Sequence, residues 1–209
     1  MNTSPYQVLS TELMVQTEVK RSKFLAYVAP TNSVDAAKAF IQKIKQLHPN
    51  ASHNCWAYIA GRPENSVDIG YSDDGEPSGC AGRPMLNVLQ GSNVGEITVV
   101  VSRYFGGTKL GTGGMARAYG GAVSAVMAEI TTYEKSVLCE LSFVCDYQWT
   151  TLIEMLLKQF DANIITVNYA DNVSYAIEID MRQHKNFSEL VYQRSNGQIT
   201  TKIVDNSSN

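Results

Sequence analysis

A chain of 209 residues that is 44% apolar, 18% charged and 9% aromatic has the material for one large core or two small ones, and is neither a disordered polyampholyte nor a low-complexity polymer. Its 17 basic and 20 acidic residues leave a net charge of −3, which excludes a global positive field, so any phosphate-binding site must be local. Apolar runs such as residues 97–101 are strand-length, far below the roughly 20 residues of a membrane-spanning helix, and no membrane partner is expected.

The first twenty residues contain Pro5, Glu12 and Glu18 and lack a basic start followed by an apolar block, so the expected location is the cytoplasm. Cys55, Cys80, Cys139 and Cys145 form no CxxC pair, and His48, His53 and His184 form neither HExxH nor any i, i+4 pair. Reduced thiols, no metal site and no cofactor are therefore expected.

In chain order, residues 12–20 and 23–29 read as two strands joined by a charged turn at Lys20 to Lys23. Ser33 is a good N-cap, and Val34, Ala37, Phe40, Ile41, Ile44 and Leu47 recur at helical spacing until Pro49. Residues 53–60 and 67–71 read as strands. The segment 72–82 packs four residues that break regular structure (Gly75, Pro77, Gly79, Gly82) into an irregular loop. A short helix is expected over 84–90, a buried β-branched strand over 96–103, and a long helix over 115–130. Inside that helix, Gly120 and Gly121 each cost about 1 kcal/mol against Ala, which close contact with a neighbouring element would explain.

The chain changes character near residue 135. Thirteen of its 15 glycines lie from Gly70 to Gly121 and every proline lies at or before Pro84. Residues 1–135 carry 12 basic and 11 acidic groups (+1), against 5 and 9 (−4) from Ser136 onward. From there the pattern is strand 138–145, helix 148–160, strand 163–168, strand 174–180, helix 184–193 and strand 198–204. That is the βαββαβ order of a ferredoxin-like sandwich, with a hairpin turn at Asp171-Asn172. Two domains are expected, 1–135 and 136–209, in an α+β fold.

Three constellations carry candidate chemistry. The first joins the buried strand to the long helix through Arg103, Gly106, Gly107, Lys109, Gly111, Gly113 and Gly114, with Arg117 in the helix's first turns. Strand, glycine loop and helix make a phosphate cradle, in which backbone N–H groups, a helix N-terminus and nearby cations converge on an anion. It is neither a Walker A sequence nor a GxGxxG fingerprint, and the alternative reading is a tight turn that packs helix on strand.

The second is Asp73, Asp74 and Glu76, three carboxylates within four residues, able to hold Mg²⁺ or to divide acid and base roles. In the plainer reading they make Asx turns, with Arg83 pairing them and shaping the loop. Arg103 is likewise a candidate to be buried against Asp73 or Asp74. The third is His53-Asn54-Cys55-Trp56, where strand alternation sets His53 and Cys55 on one face, as a Cys–His pair or a half-buried strand with His53 at the edge of a polar surface.

These motifs resemble the IMPACT family, bacterial YigZ branch: Lys23-Phe24, His53-Asn54-Cys55, residues 72–79, and residues 103–107 followed by 110–114 stand in the family's order and spacing. Cys80 departs from the family, whose members often carry Thr there. The resemblance implies an N-terminal domain of the ribosomal-protein-S5 domain-2-like type and a C-terminal domain similar to the last domain of elongation factor G. It also implies kinship with eukaryotic translational regulators that compete for the activator of a starvation-responsive initiation-factor kinase. The resulting expectation is a non-enzymatic protein, RNA- or ribosome-associated, that regulates translation and binds phosphates at the glycine-rich face. The alternatives are a Mg-dependent enzyme acting on a small phosphorylated substrate and a purely protein-binding regulator.

Overall fold

The computed structural model describes residues 4–204, so residues 1–3 and 205–209 of the two expected domains lie outside the described residues. The chain divides into one compact unit from Tyr6 to Lys135 and another that begins at Ser136.

The first unit is organised by a five-stranded antiparallel sheet. Its chain elements are β1 (Tyr6–Leu9), β2 (Leu13–Val19), β3 (Ser22–Pro30), α1 (Val34–Leu47), β4 (His53–Ile59), β5 (Ile69–Ser72), α2 (Gly82–Gly91), β6 (Val94–Gly95), β7 (Ile97–Tyr104), α3 (Thr112–Met127) and β8 (Thr132–Lys135). The large sheet runs β2-β3-β7-β4-β5. Phe24, Ala26, Val99, Val101, Cys55 and Ala57 point to one face, where α2 and α3 cover them with Met85, Leu89, Tyr119 and Val123. On the other face Tyr27, Val100 and Tyr58 pack against Phe40, Ile41 and Ile44 of α1. The helix starts as the sequence predicts, with Ser33 Oγ accepting from the Ala36 N–H.

β7 is the central strand and is buried on both faces, which explains its near-continuous apolar run. Tight β2–β3 pairing leaves only Lys20 and Arg21 in the turn, at φ of 47° and 66°. Two consecutive left-handed residues are the geometry of a type I′ hairpin, which ordinarily selects Asn-Gly.

Three short strands, β1, β6 and β8, escape the sequence reading. β1 and β8 pair across more than 120 residues, Tyr6 opposite Lys135, and with β6 they form a small sheet of order β6-β1-β8. The Glu96 carboxylate ties it together, accepting from Tyr6 Oη at 2.7 Å and Lys135 Nζ at 2.7 Å. The long helix accordingly runs over Thr112–Met127 rather than 115–130, because the chain must turn by residue 131 to reach β1.

The expected close approach at Gly120-Gly121 is corrected. At Gly120 a Cβ would make ordinary 3.9 Å contact with α2, and at Gly121 it would meet nothing within 4 Å. Neither glycine is sterically required.

In the second unit the elements are β9 (Leu138–Cys145), a 3₁₀ turn (Tyr147–Trp149), α4 (Thr150–Gln159), β10 (Asn163–Tyr169), β11 (Val173–Asp180), α5 (His184–Arg194) and β12 (Lys202–Ile203). The antiparallel sheet order β10-β11-β9-β12 is that of the ferredoxin-like βαββαβ sandwich. Leu141, Phe143, Tyr175 and Ile177 meet Ile153, Leu156, Phe187 and Val191 of the helices in a separate core. The last strand is shorter than the expected 198–204. Gly197 turns at φ +79°, and the Ile199 N–H donates to Ser195 Oγ, so the chain first wraps the end of α5 and enters the sheet only at Lys202.

Two stability predictions follow from these local geometries. Gly121→Ala should raise unfolding free energy by about 0.5–1 kcal/mol, since the position is helical, exposed and open; urea denaturation checks it. The second concerns Asp73, whose carboxylate caps the start of α2 by accepting from the Gly79, Ala81 and Gly82 N–H groups, each at 2.9 Å. Burial opposes ionisation of Asp73, but these three donors outweigh it and hold the carboxyl below its ordinary value. A depressed folded pKa contributes stability above the unfolded value of about 3.9 and loses it as pH falls through the folded one. Asp73→Ala should cost about 0.5–2 kcal/mol at pH 7 and flatten the acid limb of the stability curve below about pH 4.

Candidate functional site

At the end of the sheet where β7 stops and the chain enters α3, a cavity of about 560 Å³ opens between loops. Its walls include Ser52, His53, Glu76, Arg103, Phe105, Lys109, Gly111, Thr112 and Met115. Register explains the gathering. His53 begins β4 directly opposite Arg103 on β7, and Phe24 flanks Arg103 on β3, so all three point to the α2/α3 face.

Arg103 is 6% exposed. Its Nη1 donates to Glu76 Oε1, which also accepts from Tyr119 Oη at 2.8 Å. The buried pair corrects the expectation that Arg103 would meet Asp73 or Asp74. Its guanidinium lies 5.7 Å from the Phe24 ring centroid and 5.6 Å from that of Phe105, a range in which cation–π attraction operates. The Arg103 Nε–H remains buried without a partner, an expensive state for a charged donor.

The acidic loop does not converge. Asp73 caps α2, Asp74 bridges Lys45 Nζ at 2.6 Å and the Asn54 N–H at 2.7 Å, and Glu76 alone reaches the cavity. Among the described residues no group of three or more His, Cys, Asp or Glu side chains is placed to hold a metal ion. Arg83 is exposed and lies 6.0 Å from the Tyr71 ring centroid, not on the carboxylates it was expected to pair.

His53 and Cys55 share a face as alternation requires, without forming a nucleophile pair. His53 Nδ1 donates to the Asp74 carbonyl at 2.9 Å, which directs Nε2 toward Glu76 Oε2, 3.8 Å away. The Cys55 thiol donates to the Asp73 carbonyl, and burial, aided by the surrounding carboxylates, pushes its pKa up to about 12. Such a thiol is inert at neutral pH.

The glycine loop divides into structural and open positions. A Cβ at Gly106 would collide with the backbone of Arg21, and Gly107 and Gly111 stand at φ of +85° and +71°, so the turn itself demands these three. Gly113 has nothing within 4 Å, while Gly114 touches only Leu110. No side chain caps α3, whose N-cap is Gly111. Its first-turn N–H groups therefore keep the unmatched donors and positive dipole end of a helix start. Lys109 is exposed at the cavity wall, whereas Arg117 is exposed further along α3 and does not line it.

What sequence reasoning missed is a second cavity of about 400 Å³, lined by Gln16, Arg21, Lys23, Leu25, His48, Tyr104 and Phe105. His48 joins Tyr27 Oη (2.7 Å from Nε2) to Tyr104 Oη (2.9 Å from Nδ1), and burial lowers its pKa, favouring the neutral ring. The charged turn at Lys20 to Lys23 was the available signal, but nothing local told that it meets the glycine loop.

Comparison with known proteins supplies the lineage. The family model described as Impact N-terminal domain matches residues 20–127, and one described as a domain of unknown function, DUF1949, matches residues 143–198. Over 188 residues the chain is 44% identical to IMPACT family member YigZ of Escherichia coli (strain K12), covering 90% of this chain and 92% of that protein. It is 38% identical over 200 residues to an IMPACT family member of Haemophilus influenzae, covering 96% and 97%. A solved structure described as "Crystal structure of an hypothetical protein" superposes with a TM-score of 0.74 at 40% identity, covering 98% of this chain and 99% of that one. The glycine loop, the acidic loop and the His53 strand thus sit within the Impact N-terminal match, and the chain belongs to the IMPACT family, in the branch of the bacterial YigZ proteins.

Proposed function

We propose that the cavity at the end of β7 is a phosphate-binding site for RNA, and that the protein works in the regulation of translation without catalysing a reaction. The observation that carries the reading is an uncapped helix N-terminus that opens into the same cavity as the exposed Lys109, a cation with no carboxylate partner among the described residues. Each feature favours an anion by itself. Asp73 makes the contrast plain, because the neighbouring helix α2 has its N-terminus occupied by a carboxylate of the chain itself.

A polymer suits the site better than a small phosphorylated substrate held through Mg²⁺. Asp73 and Asp74 are committed to backbone and Lys45, leaving the cavity a single carboxylate that already binds Arg103 and Tyr119. Among the described residues Lys109, on the wall of this cavity, Arg21 and Lys23, on the wall of the second, and Arg117, further along α3, enter no ion pair. The translational part of the reading rests on the motif resemblance to eukaryotic regulators.

Two measurements test this. Changing Lys109 and Arg117 together to Ala should weaken single-stranded RNA binding for all sequences alike. The slope of log affinity against log salt should flatten by roughly 0.7 per phosphate contact removed. Stability should move by only about 0–1 kcal/mol, since both side chains are exposed. Fluorescence anisotropy at several salt concentrations reads the effect, and unchanged affinity and slope in the folded double mutant would leave the protein-binding reading ahead. Glu76→Ala should behave oppositely. It strands the buried Arg103 charge and should cost about 3–5 kcal/mol of stability in thermal or denaturant unfolding.

A further inference from the structure

Phe105 is a large apolar side chain left 52% exposed on a rigid mount. Its N–H donates to Ser52 Oγ at 3.3 Å, and the next N–H, of Gly106, donates to Ser22 Oγ at 3.1 Å, with Gly106 pressed on the Arg21 backbone. Phe105 lines both cavities. Successive residues of β7 point to opposite faces of the sheet, so Arg103 faces the first cavity and Tyr104 the second. Phe105, the residue after them, stands at the edge where the two meet.

Each side of the ring carries a cation with no carboxylate partner among the described residues, Lys109 on one side and Arg21 and Lys23 on the other, while Arg103 is matched by Glu76. Arg103 and Lys109 line one cavity, and Arg21 and Lys23 the other, whose histidine is held neutral by burial. The acids nearby are Glu76, bound to Arg103, Asp74, bound to Lys45 and the Asn54 N–H, and Glu18, opposite Lys23 in the β2–β3 register. Arg21 is also kept in a left-handed turn at φ 66° where Asn-Gly would be relaxed.

We propose that Phe105 is the base-stacking platform of a two-nucleotide site for single-stranded RNA, with the phosphates on its two sides held in the two cavities. This rests on the phosphate reading above and adds the ligand's form: an unpaired base on the exposed ring, and a backbone that passes around the end of the sheet from the α2/α3 face to the α1 face. Exposed aromatic rings between cations are the usual composition of single-strand sites, because every base has a π-face to stack. A duplex offers no free base face to the ring.

The test compares an eight-nucleotide RNA with an abasic RNA of the same length and charge, by fluorescence anisotropy on the whole protein. Wild type should prefer the natural strand by about tenfold, the scale of one stacked base. Phe105→Leu should erase that preference and Phe105→Tyr should keep it, with thermal unfolding confirming that each variant is folded. Arg21→Ala with Lys23→Ala should flatten the salt slope, as expected of the Lys109 and Arg117 double change. If Phe105→Leu retains the preference, or duplex RNA binds as tightly as the single strand, the stacking proposal falls while the phosphate reading stands. If the abasic strand binds wild type with no salt dependence, the phosphate reading itself falls. An acidic peptide that displaces the natural RNA from wild type and from Phe105→Leu equally well would assign the surface to a protein partner and overturn the proposal.

Discussion

The buried pair between Arg103 and Glu76 is the interaction on which the rest of the N-terminal unit's functional end depends. Their side chains are 7% and 3% exposed, so each charge has left water and must be compensated inside the protein. Compensation comes from four separate elements. β7 delivers Arg103, the acidic loop Glu76, α3 the Tyr119 hydroxyl, and β4 the His53 ring. Burial beside Glu76 and Cys55 raises the Tyr119 pKa far above its ordinary value, so the phenol stays protonated and keeps donating. A loop with no regular structure is thereby fixed against the centre of the sheet.

The same arrangement leaves a surplus on one side. Glu76 occupies Nη1 of Arg103 and nothing occupies Nε. Two helices begin within reach of this loop system, and the chain treats them differently. At α2 it supplies the Asp73 carboxylate; at α3 it supplies Gly111 and an open cavity. The acids of the loop are engaged elsewhere, Asp73 on the start of α2, Asp74 on Lys45 and Glu76 on Arg103. In the C-terminal unit a two-layer sandwich buries its own core, while Ile164, Ile165 and Tyr169 of β10 stay exposed, and the match there is to a domain of unknown function.

Much of the architecture was legible because it is local. The 3.6-residue spacing from Val34 to Leu47, the Ser33 cap, the β-branched run of β7 and the βαββαβ order each depend on residues near in sequence. The short strands β1 and β8 were not legible, since four-residue segments carry little periodicity and their pairing partner lies more than 120 residues away. The end of α3 followed from that pairing and was misplaced with it. The glycine loop was visible as a phosphate cradle by composition, yet composition does not distinguish Gly106, demanded by the Arg21 backbone, from Gly113, which has open space around it.

By itself the sequence determined which residue types were available at the end of β7: an arginine closing a buried strand, a glycine-rich turn, a lysine, and the start of a long helix. It also determined the family, through motifs whose order survives reading in one dimension. Only the tertiary structure decided how these groups are spent. Which of three neighbouring carboxylates receives Arg103 depends on register between β4 and β7 and on the left-handed turn at Asp74 and Gly75. That Phe105 stands between two cavities depends on Gly106 meeting the β2–β3 turn, 85 residues back at Arg21. Charge and hydrophobicity are properties of residues, but a partner for a buried charge is a property of distance, and distance across a sheet is set by packing.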